Sequence, residues 1–200
     1  MDGSLKKELI GIYFFLPTLL YFSDYKSSIF LVLYIIFFYT IYVLKKKSDF
    51  SFSTLIKKVD WDYCFLFFLI FLILGYFYTK AIEGNLLFEF PKNNFYLWLF
   101  VMFAYPFLSV IPQEIIYRVF FFYRYNCLFN KKKSYLILMN IIVFSYGHIV
   151  FQNFHAVFIT AVASPLFAYA YLKKSFITCI VIHSIGGQII FTFGLGKYFY

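Results

Sequence analysis

Residues 61–79 read WDYCFLFFLIFLILGYFYT, and Asp62 is the one charged residue in this stretch. A predominantly apolar run of about 20 residues is long enough to cross the hydrocarbon core of a bilayer as an α-helix. The run also lacks the alternation of polar and apolar side chains that marks the strands of a membrane barrel. This stretch therefore predicts a transmembrane helix.

Similar apolar stretches fill most of the rest of the chain. The sequence has 200 residues, of which 63% are hydrophobic and 14% charged, whereas soluble domains carry about 25% charged residues. This composition excludes an ordinary soluble protein. We predict an all-α fold, a polytopic transmembrane helix bundle of seven to eight helices with a buried polar pocket. The further predicted helices cover residues 9–22, 28–44, 95–111, 114–129, 134–150, 154–172 and 175–193.

The net charge of +9 comes mostly from lysines that stand in short runs between the apolar stretches. Lysines at such positions are typical of loops that anchor membrane helices at one side of a bilayer. We therefore expect these charges to meet a lipid bilayer and not nucleic acid. The richness in Lys, Ile, Phe, Asn and Tyr is typical of AT-rich genomes and favours a multi-pass protein of a bacterial inner (cytoplasmic) membrane.

The three cysteines, Cys64, Cys127 and Cys179, are far apart in the sequence and lie in apolar surroundings. Their number and spacing fit neither a disulfide framework nor a metal site. We predict that all three are reduced and serve as packing residues.

Four ionisable side chains stand out within the apolar stretches of the second half of the chain: Glu114, Arg118, His148 and His183. Such groups are costly in a membrane helix unless they face a cavity or a partner. Glu114 and Arg118 are four residues apart, so they share a helix face and can form an ion pair, either catalytic or purely structural. Pro112 predicts that a helix begins just before them. We expect the carboxylate and the two imidazoles to converge on one buried pocket.

Three short motifs contain these residues. Residues 113–118 read QEIIYR, residues 144–148 read FSYGH and residues 183–187 read HSIGG. In this order they resemble the motifs Glu-Glu-x-x-x-Arg, Phe-x-x-x-His and His-x-x-x-Asn/Asp of the CPBP (Abi) intramembrane proteases, which include the CAAX-processing Rce1 proteases. The resemblance implies N-terminal transmembrane helices in residues 1–92 and catalytic core helices in residues 93–200, together forming a single membrane domain.

The resemblance also implies hydrolysis of a peptide bond within the membrane. In the family, the motif-one Glu and the motif-two His activate a water molecule, and the motif-three residues stabilise the oxyanion. Such roles suit a carboxylate and neutral imidazoles in a medium of low dielectric constant. Carried over to this sequence, the candidate catalytic residues are Glu114, His148 and His183, and the supporting residues are Gln113, Arg118, Phe144 and Gly187.

Two positions depart from the family pattern. Gln113 stands where the family has its first Glu, and an amide can orient a water molecule but cannot take its proton. Glu114 matches the second Glu, and we assign the role of general base to it. Gly187 ends motif three without a side-chain donor, although the neighbouring Gln188 carries an amide.

The implied mechanism needs no cofactor. Two histidines and one carboxylate could in principle hold zinc, but compact local pairs such as His-x-x-x-His are missing from the sequence. We therefore predict that no metal takes part, with zinc as the less favoured alternative.

Two functions stay open. An intramembrane endopeptidase would cleave a membrane-associated protein or peptide, prenylated or pheromone-like in the manner of the family, and the retained Arg118, His148 and His183 favour this function. A catalytically degenerate family member would act as a membrane binding or immunity protein, and Gln113 and Gly187 favour that alternative.

Overall fold

The structure, a computed structural model, describes residues 2–23, 28–129 and 132–199. These residues are helical nearly throughout, and no β-strand occurs among them. The predicted all-α polytopic fold is confirmed. The described residues form helices α1 (residues 2–21), α2 (Ser28–Lys45), α3 (Trp61–Leu86), α4 (Glu89–Asn93), α5 (Phe95–Phe129), α6 (Lys133–Phe151), α7 (Phe154–Lys174) and α8 (Phe176–Thr192).

Five of the described helices, α2, α3, α5, α6 and α7, are long and apolar enough to cross a membrane. Many of their large apolar side chains point away from the protein; Phe65, Ile73 and Phe77 of α3, for example, are more than half exposed. Leaving such a side chain in water forfeits about 1.5–3 kcal/mol, whereas lipid tails are as apolar as the side chains themselves. These outward faces are therefore suited to lipid.

Side-chain caps fix the starts of two helices. The Oδ1 atom of Asp60 accepts a hydrogen bond of 2.9 Å from the backbone N–H of Tyr63 at the start of α3. The Oγ atom of Ser175 accepts one of 2.9 Å from the N–H of Thr178 at the start of α8. Each cap satisfies an amide that has no partner inside its own helix.

Helix α5 joins two stretches that the sequence predicts as separate helices, residues 95–111 and 114–129. Pro112 lies inside the continuous helix, so the predicted helix start at this proline is wrong. A proline normally disrupts a helix because it lacks the N–H and crowds the carbonyl four residues earlier. Here the π-helical turn Pro106–Val110 directly before it widens the helix. Glu114 consequently does not lie at a helix N-terminus. The Arg118 guanidinium balances its charge.

The cysteines are all free thiols. Cys64 and Cys179 are buried, which confirms their predicted packing role. The packing role predicted for Cys127 is wrong, because the 3₁₀ turn Asn126–Phe129 at the end of α5 leaves this side chain exposed.

The chain divides into two units, each built from two separate parts of the sequence. Unit 1 contains the described residues of Met1–Ser53 and Pro112–Tyr169, and unit 2 contains those of Thr54–Ile111 and Ala170–Tyr200. Helices α5 and α7 therefore contribute to both units.

In unit 1, α1 packs against α6 and the second half of α5. The hydroxyl of Tyr13 is fully buried and donates a hydrogen bond of 2.8 Å to the carbonyl of Ile116. Near the start of α1, Glu8 accepts hydrogen bonds of 2.9 Å from the Arg124 guanidinium and from the Tyr125 hydroxyl. These bonds attach α1 to the segment of α5 that carries motif one.

In unit 2, α8 packs along α3 and the first half of α5. Asp60, just before α3, forms an ion pair of 2.8 Å with Lys174, just before α8. At the other end of α8, the indole Nε1 of Trp98 donates a hydrogen bond of 3.1 Å to Oγ1 of Thr192. These contacts position α8, the helix that carries motif three.

Candidate active site

Glu114 and Arg118 form a fully buried ion pair in α5. The Nε atom of Arg118 lies 3.4 Å from Oε2 of Glu114, and both side chains are 0% exposed. The ion pair predicted from the four-residue spacing is confirmed. Residues Ile115–Phe120 form a π-helical turn, a feature that occurs mostly as single turns and often at functional sites. Each of the two charges compensates the other, because burying either charge alone inside the protein would cost free energy of folding.

Two further helices of unit 1 hold the guanidinium. Its Nη1 atom donates to Oδ1 of Asn140 in α6, and its Nη2 atom donates to Oγ of Ser164 in α7 at 3.3 Å. The Asn140 amide in turn donates to the carbonyl of Tyr117, which lies within the π-helical turn. Asn140 and Ser164 are both fully buried. The guanidinium is thus fixed from three helices, as its planar array of donors allows.

Phe144 connects Arg118 to His148. The guanidinium carbon of Arg118 lies 4.6 Å from the centroid of the Phe144 ring, and the centroids of the Phe144 and His148 rings are 4.8 Å apart. The Nδ1 atom of His148 lies 2.8 Å from the carbonyl oxygen of Phe144. Because a carbonyl only accepts hydrogen bonds, Nδ1 carries a proton, and in a neutral ring Nε2 is then the acceptor nitrogen.

Asn140 and Ser164 belong to this cluster, and neither was predicted from the sequence. Asn140 had a usable signal, because it is polar within an apolar stretch and stands four residues before Phe144 and eight before His148, on the same helix face. Ser164 had no such signal in the sequence, because a serine in a helix commonly hydrogen-bonds to a backbone carbonyl of the same helix.

His183 and Gly187 lie on α8 in unit 2. His183 is buried, and its ring contacts Tyr105 of α5 edge to face at 6.2 Å between centroids. A Cβ atom built on Gly187 would overlap the Cε1, Cζ and Oη atoms of the same tyrosine. Gln188 donates from Nε2 to the carbonyl of Met102 at 2.9 Å. This bond directs its amide to the backbone of α5. The convergence of all three candidate catalytic residues on one pocket stays a prediction.

An apolar groove of about 600 Å³ lies in unit 2 between α3 and α8. Glu114, His148 and His183 do not contribute to its lining, so this groove does not correspond to the candidate catalytic residues. It is lined by Phe68, Leu72, Ile73, Tyr76, Phe77, Phe88, Ile185, Gln188, Ile189, Thr192 and Phe193.

No group of three or more His, Cys, Asp or Glu side chains with the arrangement of a metal site occurs within residues 2–23, 28–129 and 132–199. The Glu114 carboxylate lies instead next to the Arg118 guanidinium. These residues do not fit a three-ligand zinc site, and metal independence stays a prediction.

The family model for type II CAAX prenyl endopeptidase Rce1-like proteins matches residues 94–186. This range contains α5, α6, α7 and most of α8, and with them motif one, motif two and His183 of motif three. Over this range the chain is similar to the Rce1-like family. Neither a curated protein nor a solved structure matches the chain.

This match confirms the resemblance that the three motifs suggest. The matched family is one of endopeptidases, and the match together with the five long apolar helices supports an integral multi-pass membrane protein. Gly187, the departure from motif three, lies directly beyond the matched residues.

Proposed function

We propose that this Rce1-like protein is an intramembrane endopeptidase that uses Glu114, His148 and His183. The observation that carries the proposal is the buried Glu114–Arg118 ion pair, which shares the Phe144 ring with His148. Burying charge inside a membrane protein is expensive, and intramembrane ionisable groups commonly mark functional sites. The roles of these residues rest on the motifs together with the contacts described above.

In the proposed reaction, the acceptor Nε2 of His148 holds a water molecule and Glu114 takes one of its protons. The water oxygen bonds to the carbonyl carbon of the scissile peptide, and the π electron pair moves to the carbonyl oxygen. His183 donates a hydrogen bond to this oxyanion. When the C=O bond reforms, the C–N bond breaks, and the departing nitrogen takes the proton from Glu114. The products are a carboxylic acid and an amine. Arg118 positions the Glu114 side chain throughout.

The proposed substrate is a membrane-associated protein or peptide, prenylated or pheromone-like, in a bacterial inner membrane. The proposed reaction uses side chains alone, without zinc or another cofactor. A chelator therefore separates this mechanism from the metal alternative.

A second candidate is a degenerate family member that binds a membrane peptide without cleaving it, as an immunity protein would. Gln113 and Gly187 are the observations that favour it, since both remove a functional group from the family pattern. The variant Gln113→Glu distinguishes the two functions. In an active protease it is tolerated or raises the rate, whereas in a degenerate member it restores a cleavage that the wild type lacks.

The test measures cleavage of a fluorogenic peptide and membrane-substrate library by the purified protein in detergent, with and without a chelator. Glu114→Gln and His148→Ala are compared with the matched controls Glu89→Gln, at an exposed position, and His155→Ala, outside the three motifs. We expect turnover to fall by at least about 10²-fold in the first two variants and to be unchanged in the controls and in chelator.

Full activity of Glu114→Gln would refute the assignment of the general base. Loss of wild-type activity in chelator would instead establish a metal-dependent mechanism. Absence of wild-type cleavage, with cleavage by Gln113→Glu, would establish the degenerate member.

A further inference from the structure

Gly187 lies one helical turn after His183, and Tyr105 packs against it. A Cβ atom at position 187 would overlap the Cε1, Cζ and Oη atoms of Tyr105, which form the hydroxyl end of the ring. The phenol thus occupies the space in which a side chain at position 187 would begin. Tyr105 in this position and a side chain at 187 exclude each other.

Two aromatic contacts hold the Tyr105 ring in unit 2. Its centroid is 6.2 Å from that of His183, with an angle of 77° between the planes, and 5.3 Å from that of Phe191, with an angle of 75°. Edge-to-face contacts at these distances are favourable and directional. The ring is therefore held with its hydroxyl end at the turn of α8 between His183 and Gly187.

The Tyr105 and His183 rings are direct neighbours, with 6.2 Å between their centroids. A shared acceptor requires that the hydroxyl and an imidazole N–H each lie about 2.9 Å from one oxygen atom. Gln188, the other polar neighbour of Gly187 along the helix, directs its amide to Met102. Tyr105 is thus the side chain that fills the space at Gly187 and brings a donor to it.

We propose that the Tyr105 hydroxyl donates a hydrogen bond to the oxyanion, together with His183, in place of a side chain at position 187. This inference rests on the proposed function. It gives Gly187 a positive role, because glycine leaves room for the phenol. The departure from motif three then exchanges one donor for another.

The first test compares Tyr105→Phe with the wild type by steady-state kinetics, in the Gln113→Glu background if turnover requires that change. Phenylalanine keeps the ring contacts and removes one hydroxyl, so a merely structural role would leave kcat unchanged. We expect kcat to fall about 10²-fold or more, as for loss of one oxyanion donor, with little change in KM and in the thermal unfolding midpoint. Tyr96→Phe, on the same helix and 86% exposed, is the matched control and should match the wild type.

The second test exchanges the two side chains. Gly187→Asn alone should lower kcat, because the new side chain overlaps Tyr105. Combined with Tyr105→Ala, which opens the space, Gly187→Asn should raise kcat above that of Tyr105→Ala alone. Thermal unfolding of each variant verifies that it is folded.

The outcomes separate this inference from the proposed function. A wild-type kcat in Tyr105→Phe, alongside an inactive Glu114→Gln variant, would overturn the role of Tyr105 and leave the protease intact. Cleavage by neither the wild type nor Gln113→Glu would overturn both. A lower kcat in Tyr105→Phe together with a wild-type kcat in Tyr96→Phe would support the inference, even if Gly187→Asn fails to fold.

Discussion

At the scale of single residues, Arg118 contacts side chains of three helices in the candidate active site. It pairs with Glu114 on its own helix, donates to Asn140 and Ser164 on two others and lies over the Phe144 ring. The sequence predicted the pair with Glu114 from the spacing alone. It could not predict the other partners, because a linear pattern does not state which helices meet. Arg118 thus positions Glu114, the proposed general base.

Arg118→Met should destabilise the protein strongly, because it leaves the Glu114 carboxylate buried without its cation. Breaking a buried ion pair on one side costs about 3–5 kcal/mol. In the double variant with Glu114→Gln the cost should be smaller than the sum of the two single costs, since neither charge then remains. Equilibrium unfolding in mixed detergent micelles measures these free energies.

The exposed Lys92→Met serves as the control for loss of one positive charge. The ion pair would not contribute to stability if Arg118→Met had the same free energy of unfolding as this control. The same would follow if the losses caused by Arg118→Met and Glu114→Gln simply added in the double variant.

At the scale of helices, α5 and α1 differ most from the sequence prediction. The predicted helix ends were least accurate where the chain is apolar on every face, because such a helix has no periodicity to reveal a register or a π-helical turn. By contrast, Asn140 and His148 of α6 are polar residues eight positions apart in an apolar stretch, and this spacing predicts that both lie on the helix face that forms the cluster. The sequence predicted that the first helix begins at residue 9, but α1 begins at residue 2 and therefore includes Glu8.

The docking of α1 should be sensitive to acid. Burial raises the pKa of the Glu8 carboxyl, but hydrogen bonds from Arg124, Tyr125 and Tyr39 outweigh it and hold the pKa below its ordinary value of 4.5. A lowered pKa in the folded state stabilises the fold above the ordinary pKa, and this stabilisation is lost as the pH falls through the folded-state value. The melting temperature of the wild type should therefore drop more steeply between about pH 5 and pH 3 than that of Glu8→Gln.

Glu89→Gln, at an exposed position, should keep the steep wild-type dependence. Parallel curves for the wild type and Glu8→Gln would show that Glu8 is not the acid-sensitive contact.

At the scale of the whole molecule, composition alone was enough to predict the class of the protein. A chain with 63% hydrophobic residues dissolves in lipid, and long apolar runs in lipid must be helical to satisfy their backbone groups. The division into two units could not be predicted, because each unit combines segments that are distant in the sequence. Likewise Tyr105 is 82 positions before Gly187 in the sequence, and only the fold brings its ring to that glycine.

Thiol accessibility tests the fold as a whole without any mutation. A maleimide added to the native protein in detergent should modify Cys127, which is exposed, and spare Cys64 and Cys179, which are buried. Denaturation in SDS should make all three reactive. Mass spectrometry counts the adducts. Modification of Cys64 or Cys179 in the native protein would contradict the packing of α3 and α8.

The contacts of Arg118 have a consequence for biosynthesis. A ribosome completes α5 before α6 and α7, so the arginine leaves the ribosome before Asn140 and Ser164, which accept its hydrogen bonds in the folded protein. During that interval Glu114, four residues away on the same helix, is already present to balance the charge. The intrahelical pair therefore lowers the cost of membrane insertion, and the later helices complete the network only as the nascent protein assembles.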